Sequence, residues 1–251
     1  LEFRRVLFRS PEAVVAKAAG DAVTIFQAGK KLITPASSLT DLSFTIEHWH
    51  SDIGKSEVFT GCKPTSMALN MPATAIATVQ FGFMGQDIVA GTTQYFITPT
   101  ALTSANLTAG VNGKLSIDGI DFATVTGLSI NVNGNHAVEA VVGSQLTPGV
   151  FPGILDVTGQ VTALFDSTTL RDAFLAETEV SLNAVLVLTS ALNSDFILFN
   201  ILRLMFTGSS KDDKSQALVQ TLTFQALLNT SGGAGISSSA TTLEIMDSLA
   251  A

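Results

Sequence analysis

Residues 180–188 read Val-Ser-Leu-Asn-Ala-Val-Leu-Val-Leu, and residues 217–227 read Ala-Leu-Val-Gln-Thr-Leu-Thr-Phe-Gln-Ala-Leu. Both stretches place apolar residues at alternate positions; the first is rich in valine and leucine, and the second is rich in leucine and also contains two threonines. A period of two is typical of β-strands, because successive side chains of a strand point to opposite faces of its sheet. The two stretches therefore predict strands with one buried face and a fold that is mainly β.

The same alternation continues upstream, over residues 115–117, 123–132 and 155–165. Asn133-Gly134 follows one of these stretches and is typical of a tight hairpin turn. Helices are few. Residues 170–176 have apolar residues at helical spacing behind the N-cap candidates Asp166, Ser167 and Thr168, and residues 11–19 begin with a proline suited to a first turn. The sequence predicts an antiparallel sheet with one short helix per unit.

The strand pattern of the first half recurs in the second half. Residues 42–46 correspond to 180–184, residues 58–69 to 198–206, and residues 77–83 to 219–225. The offset is 140 from Phe59 to Phe199 and 143 from Phe81 to Phe224. Coincidence between two β-rich halves is the alternative to duplication. We predict two tandem domains, 11–100 and 107–251, separated by the polar, proline-bearing residues 98–106; we expect the first domain to lack its N-terminal strands.

Residues 1–10 differ in character from the rest of the chain. They hold Arg4, Arg5 and Arg9 but only one acidic residue, Glu2, and they do not begin with methionine. We interpret them as an adapter or cloning artefact at the start of an N-terminally truncated protein. Without them the chain has 10 basic and 20 acidic residues.

Composition excludes several classes of protein. The chain has 251 residues, of which 46% are apolar and 14% charged, with a net charge of −8. Ordinary soluble domains have about 25% charged residues, and disordered chains have few apolar ones. The longest apolar run, residues 196–206, contains Asn200 and Arg203 and is too short for a membrane-spanning helix. The composition therefore indicates a folded, acidic protein, not inserted in a membrane, that covers much of its surface with other protein chains.

Motifs for chemistry are weak. Gly54-Lys55-Ser56 resembles the end of a phosphate-binding loop but lacks the earlier glycine, since Trp49 stands there. His48 and His50 lie on one face of a predicted strand without a third metal ligand in the pattern. Cys62 is the only cysteine, so neither a disulfide framework nor a cysteine metal cage is expected. We expect no enzymatic activity, no cofactor and no metal.

Several segments, taken in order, resemble the tail tube proteins of phages, the major tail proteins of long non-contractile tails. In the first half they are residues 43–47 (Ser-Phe-Thr-Ile-Glu), 52–54, 58–67 and 81–87. In the second half they are residues 125–130, 141–144, 169–180 (Thr-Leu-Arg-Asp-Ala-Phe-Leu-Ala-Glu-Thr-Glu-Val), 210–213 and 226–235. The resemblance runs from about residue 11 to the C-terminus.

The resemblance implies two β-sandwich or half-barrel domains, each with a short flanking α-helix. It implies rings stacked into a hollow tube through which phage DNA passes, within a virion tail whose proteins are made in the host cytoplasm. In related tube proteins six such domains close a ring, so a duplicated chain would form a trimer with pseudo-sixfold symmetry. The tape measure and the tail terminator would be its other partners. An acidic lumen would repel DNA, so we expect carboxylates to line it and DNA to pass without specific binding.

Two polar segments, residues 49–57 and 208–215, are predicted to be loops in matching places of the two repeats. Such loops are candidates for contacts between stacked rings, with solvated hairpin tips as the alternative. The candidate residues are Trp49, Ser51, Asp52, Lys55, Glu57, Lys211, Asp212, Asp213 and Lys214. The competing function is a β-rich binding or adhesion module of a phage or prophage-derived particle, which would predict exposed aromatic clusters.

Overall fold

A computed structural model describes residues 31–33, 42–99, 113–121, 124–144, 146–165, 168–188, 195–214, 217–230 and 241–247. The strands there are β1 (Lys31–Ile33), β2 (Phe44–His50), β3 (Lys55–Pro72), β4 (Thr78–Met84), β5 (Asp87–Gly91), β6 (Gly113–Ile117), β7 (Ile120–Asp121), β8 (Val125–Asn133), β9 (Ala137–Val138), β10 (Val150–Phe151), β11 (Asp156–Leu164), β12 (Val180–Val187), β13 (Phe196–Lys214), β14 (Ala217–Ala226) and β15 (Glu244–Asp247). The helix found among these residues is α1 (Thr169–Leu175).

Thirteen strands form one sheet, and its neighbouring strands run antiparallel. Following hydrogen-bonded neighbours, the order is β2, β3, β8, β11, β14, β13, β12, β6 and β7. β4 and β5 also pair with β3, and β15 links β1 to β13. β9 and β10 form a separate pair. The prediction of a mainly β, antiparallel fold is confirmed.

The core lies under the centre of the large sheet. Its most buried side chains include Ile130 of β8, Val161 of β11, Ile201 of β13 and Leu222 of β14, each 0% exposed. In β12 buried and half-buried residues alternate along the whole strand, as the period of two predicted. Helix α1 adds Leu170 to this core. Within the described residues, no helix is both long and apolar enough to cross a membrane.

The two longest strands organise the two halves in the same way. The first part of β3 lies between β2 and β5, and its second part pairs with β4. The first part of β13 lies between β12 and β15, and its second part pairs with β14. The registers match as well, because Ile46, Phe59 and Ile88 form one row and Ala184, Phe199 and Ile245 form the other. This correspondence supports the duplication that the sequence indicates.

The strands of the two halves nevertheless belong to one sheet. Residues 66–72 of β3 pair with residues 127–133 of β8, and β8 pairs on its other edge with β11. The division into domains 11–100 and 107–251 stays a prediction, since residues 100–112 lie outside the described part. The helix predicted over residues 11–19 lies outside it too.

The tight hairpin predicted at Asn133-Gly134 is wrong. The Gly134 amide donates to the Thr65 carbonyl at 2.8 Å, so the chain continues along β3 instead of turning. β8 still has an antiparallel neighbour, but that strand is β11, which begins at Asp156. The Asn133 side chain instead accepts a hydrogen bond from the Asn135 amide at 3.0 Å. A local turn motif did not determine the pairing here.

Candidate functional site

A three-stranded arm carries the first candidate surface. The arm consists of β2, residues 55–62 of β3, and β5; β2 and β5 each pair with this part of β3, and none of the three pairs with β8. Its tip is the turn at residues 51–54, where Gly54 has a φ of 61°. A positive φ is readily adopted by glycine, which has no Cβ. The turn occupies only residues 51–54, so most of the predicted loop over residues 49–57 is strand.

Five of the predicted contact residues lie on this arm. Ser51 and Asp52 are exposed in the turn, and Lys55 is exposed at the start of β3. Trp49 and Glu57 are half-buried and pair across the strands with Ser56 and His48. The structure thus brings these five residues together at one end of the arm. Their role in contacts between rings remains a prediction.

The other four predicted contact residues are not in a loop, which corrects that part of the prediction. Lys211, Asp212, Asp213 and Lys214 belong to β13 and pair with residues 217–220 of β14. Their place does not match that of the arm's tip either, because they lie at the C-terminal end of the long strand β13, whereas the tip precedes β3. Backbone pairing with β14 overrides a composition typical of loops. The Lys211 ammonium lies 3.7 Å from the centre of the Phe165 ring.

Sequence reasoning missed a group of exposed apolar side chains on and beside the arm. Ile88 and Val89 of β5 are each 53% exposed, and Tyr95, Phe96 and Ile97 follow at the surface. The Glu47 carboxylate accepts hydrogen bonds from the amides of Tyr95 at 2.6 Å and Phe96 at 2.8 Å, which holds the two rings edge to face. Burying apolar surface stabilises an association by roughly 25 cal/mol per Å². The unbroken apolar composition of residues 88–89 and 95–97 was the available signal.

The arm also holds one cluster of metal-ligand side chains. The ligand atoms of His48, His50 and Glu57 lie within 4.8 Å of one another, and the two imidazole rings are 4.0 Å apart. Structural zinc sites have four protein ligands, and catalytic sites have three with an open position. The cluster offers three ligands, the number that catalytic sites use and one fewer than structural sites use. Glu57 was not predicted as a metal ligand from the sequence.

Burial or pairing shifts the pKa of other groups among the described residues. Cys62 is buried, and this burial raises the pKa of its thiol, which makes it a poor nucleophile at neutral pH. The Arg203 guanidinium donates to both carboxylate oxygens of Glu179 at 2.6 Å and to the Leu228 carbonyl at 3.1 Å. These hydrogen bonds lower the pKa of Glu179 and raise that of Arg203. The pair lines an open polar groove on the second half of the sheet.

Comparisons with known proteins identify the family of this chain. A comparison with curated protein sequences gives no match. Among solved structures, the SPP1 tail tube, determined by solid-state NMR and cryo-EM, is similar with a TM-score of 0.39 and 12% sequence identity. That similarity covers 56% of this chain and 78% of the SPP1 chain. The family model described as phage tail tube protein matches residues 9–226, most of the sequence. The chain therefore belongs to the phage tail tube protein family.

Proposed function

We propose that this chain is a structural subunit that assembles into rings, and that the rings stack into the hollow tube of a phage tail. The observation that carries this proposal is the family match over residues 9–226. Rings form when head-to-tail contacts between subunits close, and stacking adds contacts along the axis. The exposed apolar residues of the arm and the low proportion of charged residues, 14%, support extensive burial of surface between chains.

The matching strand arrangements of the two halves support a particular ring. Each chain supplies two similar units, so three chains would give six units with pseudo-sixfold symmetry. The finished tube would lie in the virion tail, after synthesis of its subunits in the host cytoplasm. Its interior would contact the tape measure during assembly, and its end would contact the tail terminator.

Negative-stain electron microscopy of the purified full chain, together with its mass by light scattering, tests this assembly. We expect rings or hollow tubes, with three chains per ring. Rings of six identical chains would contradict the trimer and leave the tube proposal standing. A uniform population of monomers at all concentrations would contradict the tube and favour a β-rich binding module.

The tube is also proposed to carry DNA without binding it. The net charge of −8 repels phosphates, whereas a protein that binds nucleic acid neutralises them with lysine and arginine. We expect no shift of duplex DNA in gel electrophoresis with the assembled protein, even at low salt, where electrostatic binding is strongest. Binding that weakens steeply as salt is added would contradict an acidic, non-adhesive lumen.

A further inference from the structure

Three side chains that can bind a metal ion share one face of the arm. His48 and His50 are two residues apart in β2, so both side chains point to the same face of the sheet. Glu57 of β3 lies directly opposite His48, and directly opposed residues of antiparallel strands carry their side chains on the same face. The register shows no shift between Glu47 and His50. The backbone pairing therefore brings the three ligands together.

The spacing of these side chains suits a small ion. Their ligand atoms, one from each residue, lie within 4.8 Å of one another. In a tetrahedral zinc site, with bonds of about 2.0–2.2 Å, the ligand atoms are about 3.3–3.6 Å apart. His48 is exposed, so its ring can turn to close this difference without disturbing the core. Within the described residues, no side-chain hydrogen bond or ion pair engages the three side chains, so none has to break before an ion binds.

The neighbouring side chains leave the cluster accessible. On the other edge of β3, Ala90 of β5 lies opposite Glu57, and its methyl group is small and exposed. Lys55 lies opposite His50 and carries a positive charge on the same face. Its side chain is exposed and long, so its ammonium group can extend into water, where repulsion between charges is weak. A cation can therefore reach the three ligands.

We propose that His48, His50 and Glu57 bind one divalent metal ion of the zinc type, at a place here called the arm metal site. Imidazole nitrogen is a ligand typical of zinc, copper, iron and nickel, whereas magnesium and calcium prefer oxygen ligands. The three side chains would occupy three positions of a tetrahedral ion and leave the fourth to water. The histidine spacing alone predicted no metal, because the sequence pattern shows no third ligand. The register of β2 and β3 supplies Glu57 as that ligand.

An ion at the arm metal site would join β2 to β3 beside the turn at residues 51–54. A ligand that binds only the folded conformation stabilises that conformation. The tip of the arm would therefore open less often when the ion is bound. The site lies within one chain, so it goes beyond the proposed function and does not depend on assembly into rings.

Zinc binding by the full chain, purified without a histidine tag and freed of metal with a chelator, tests the site. Isothermal titration with Zn²⁺ should show one ion per chain, and an excess of Mg²⁺ should not compete. Loss of a group that only orients a metal ligand costs about 10–100-fold in affinity, so loss of a ligand should cost at least as much. His50→Ala and Glu57→Gln should therefore each weaken zinc binding by at least about tenfold.

Two variants serve as controls. His136→Ala makes the same substitution at the third histidine of the chain, which follows β8 and lies outside the arm, and it should bind zinc like the unaltered chain. Lys55→Ala removes the positive charge beside His50 and should bind zinc equally or more tightly. Circular dichroism of each variant checks that the fold is retained.

Chemical modification of the unaltered chain gives a readout that needs no variant. Diethylpyrocarbonate acylates a neutral imidazole nitrogen that is not bound to metal, and mass spectrometry locates the modified residues. We expect Zn²⁺ to slow the modification of His48 and His50 together and to leave that of His136 unchanged. Mg²⁺ should protect none of the three.

The expected result is saturable binding of one zinc ion, weakened in His50→Ala and Glu57→Gln, with joint protection of His48 and His50. Binding of equal affinity in His50→Ala and the unaltered chain, or no saturable binding, would overturn the arm metal site. If a variant unfolds, the modification experiment decides, and unprotected histidines in the presence of zinc would overturn the site as well. None of these outcomes depends on whether the chain forms rings, so the proposed function stands or fails separately.

Discussion

Replacing Gly159 with alanine is expected to lower the free energy of unfolding by about 2–4 kcal/mol. Gly159 lies in the middle of β11, between Ile130 of β8 and Phe224 of β14. A Cβ at this position would overlap the Ser129 carbonyl oxygen and the edge of the Phe224 ring. Phe224 is 1% exposed and belongs to the core, so its ring has little room to move. Urea unfolding followed by circular dichroism measures the loss.

Gly127→Ala provides a matched control in the same pair of strands. Gly127 lies in β8 opposite Thr162 of β11, and a Cβ there would have the Thr162 Cβ as its nearest neighbour, at 4.0 Å. Glycine in a strand is itself unfavourable, so alanine should change the stability by less than about 1 kcal/mol, in either direction. Equal losses for the two variants would show that alanine disturbs β11 no more than β8, which would contradict the close packing described around Gly159.

The strands with a buried face could be predicted from the sequence. β8, β11, β12 and β14 each hold alternating apolar residues that enter one core, and their predicted bounds agree with the structure within two or three residues. Helix α1 was also predicted, because Leu170 and its neighbours have helical spacing behind Thr168. These elements depend on local patterns, which a single sequence displays directly.

Pairing between distant strands could not be predicted in the same way. Nothing local in residues 66–72 indicates that β8 lies beside them, because β-strand partners are chosen by cross-strand packing. For the same reason the polar residues 208–215 were predicted as a loop, although residues 208–214 belong to β13, because their strand conformation depends on the ladder with β14. The arm's apolar surface was missed because the consecutive apolar residues 88–89 of β5 do not show which face of the strand lacks a partner.

The second large effect on stability is expected at Glu244. Its carboxyl group is buried beside a side-chain amide whose oxygen lacks a hydrogen bond within the described residues. Glu244 of β15 and Asn200 of β13 are each 2% exposed and lie directly opposite one another. The Asn200 amide donates to one carboxylate oxygen of Glu244 at 3.0 Å. The other oxygen, Oε1, and Asn200 Oδ1 are both buried acceptors without a hydrogen bond in the described part of the chain. Burial raises the pKa of Glu244, and the hydrogen bond from Asn200 opposes the shift only in part.

The direction of the shift sets the direction of the pH dependence. The folded state holds the proton of Glu244 more tightly than the unfolded state does. The stability that this group contributes is therefore fully present below its unfolded pKa, about 4.3, and is lost as the pH rises through the raised folded value. Glu179 behaves in the opposite way. The hydrogen bonds from Arg203 lower its pKa, so its contribution is present at neutral pH and lost in acid.

Glu244→Gln should therefore stabilise the protein at pH 7.5, by about 1–2 kcal/mol, and should have little effect near pH 4. The glutamine is neutral, its carbonyl can accept from the Asn200 amide, and its own amide offers a donor for Asn200 Oδ1. Urea unfolding of both proteins across this pH range measures the difference, and Glu179→Gln serves as a control that should lower stability at pH 7.5. If the free energies of unfolding of Glu244→Gln and the unaltered chain coincide at every pH, burial does not destabilise the charged form of Glu244. That result would contradict the raised pKa and the shortage of hydrogen-bond donors around Asn200.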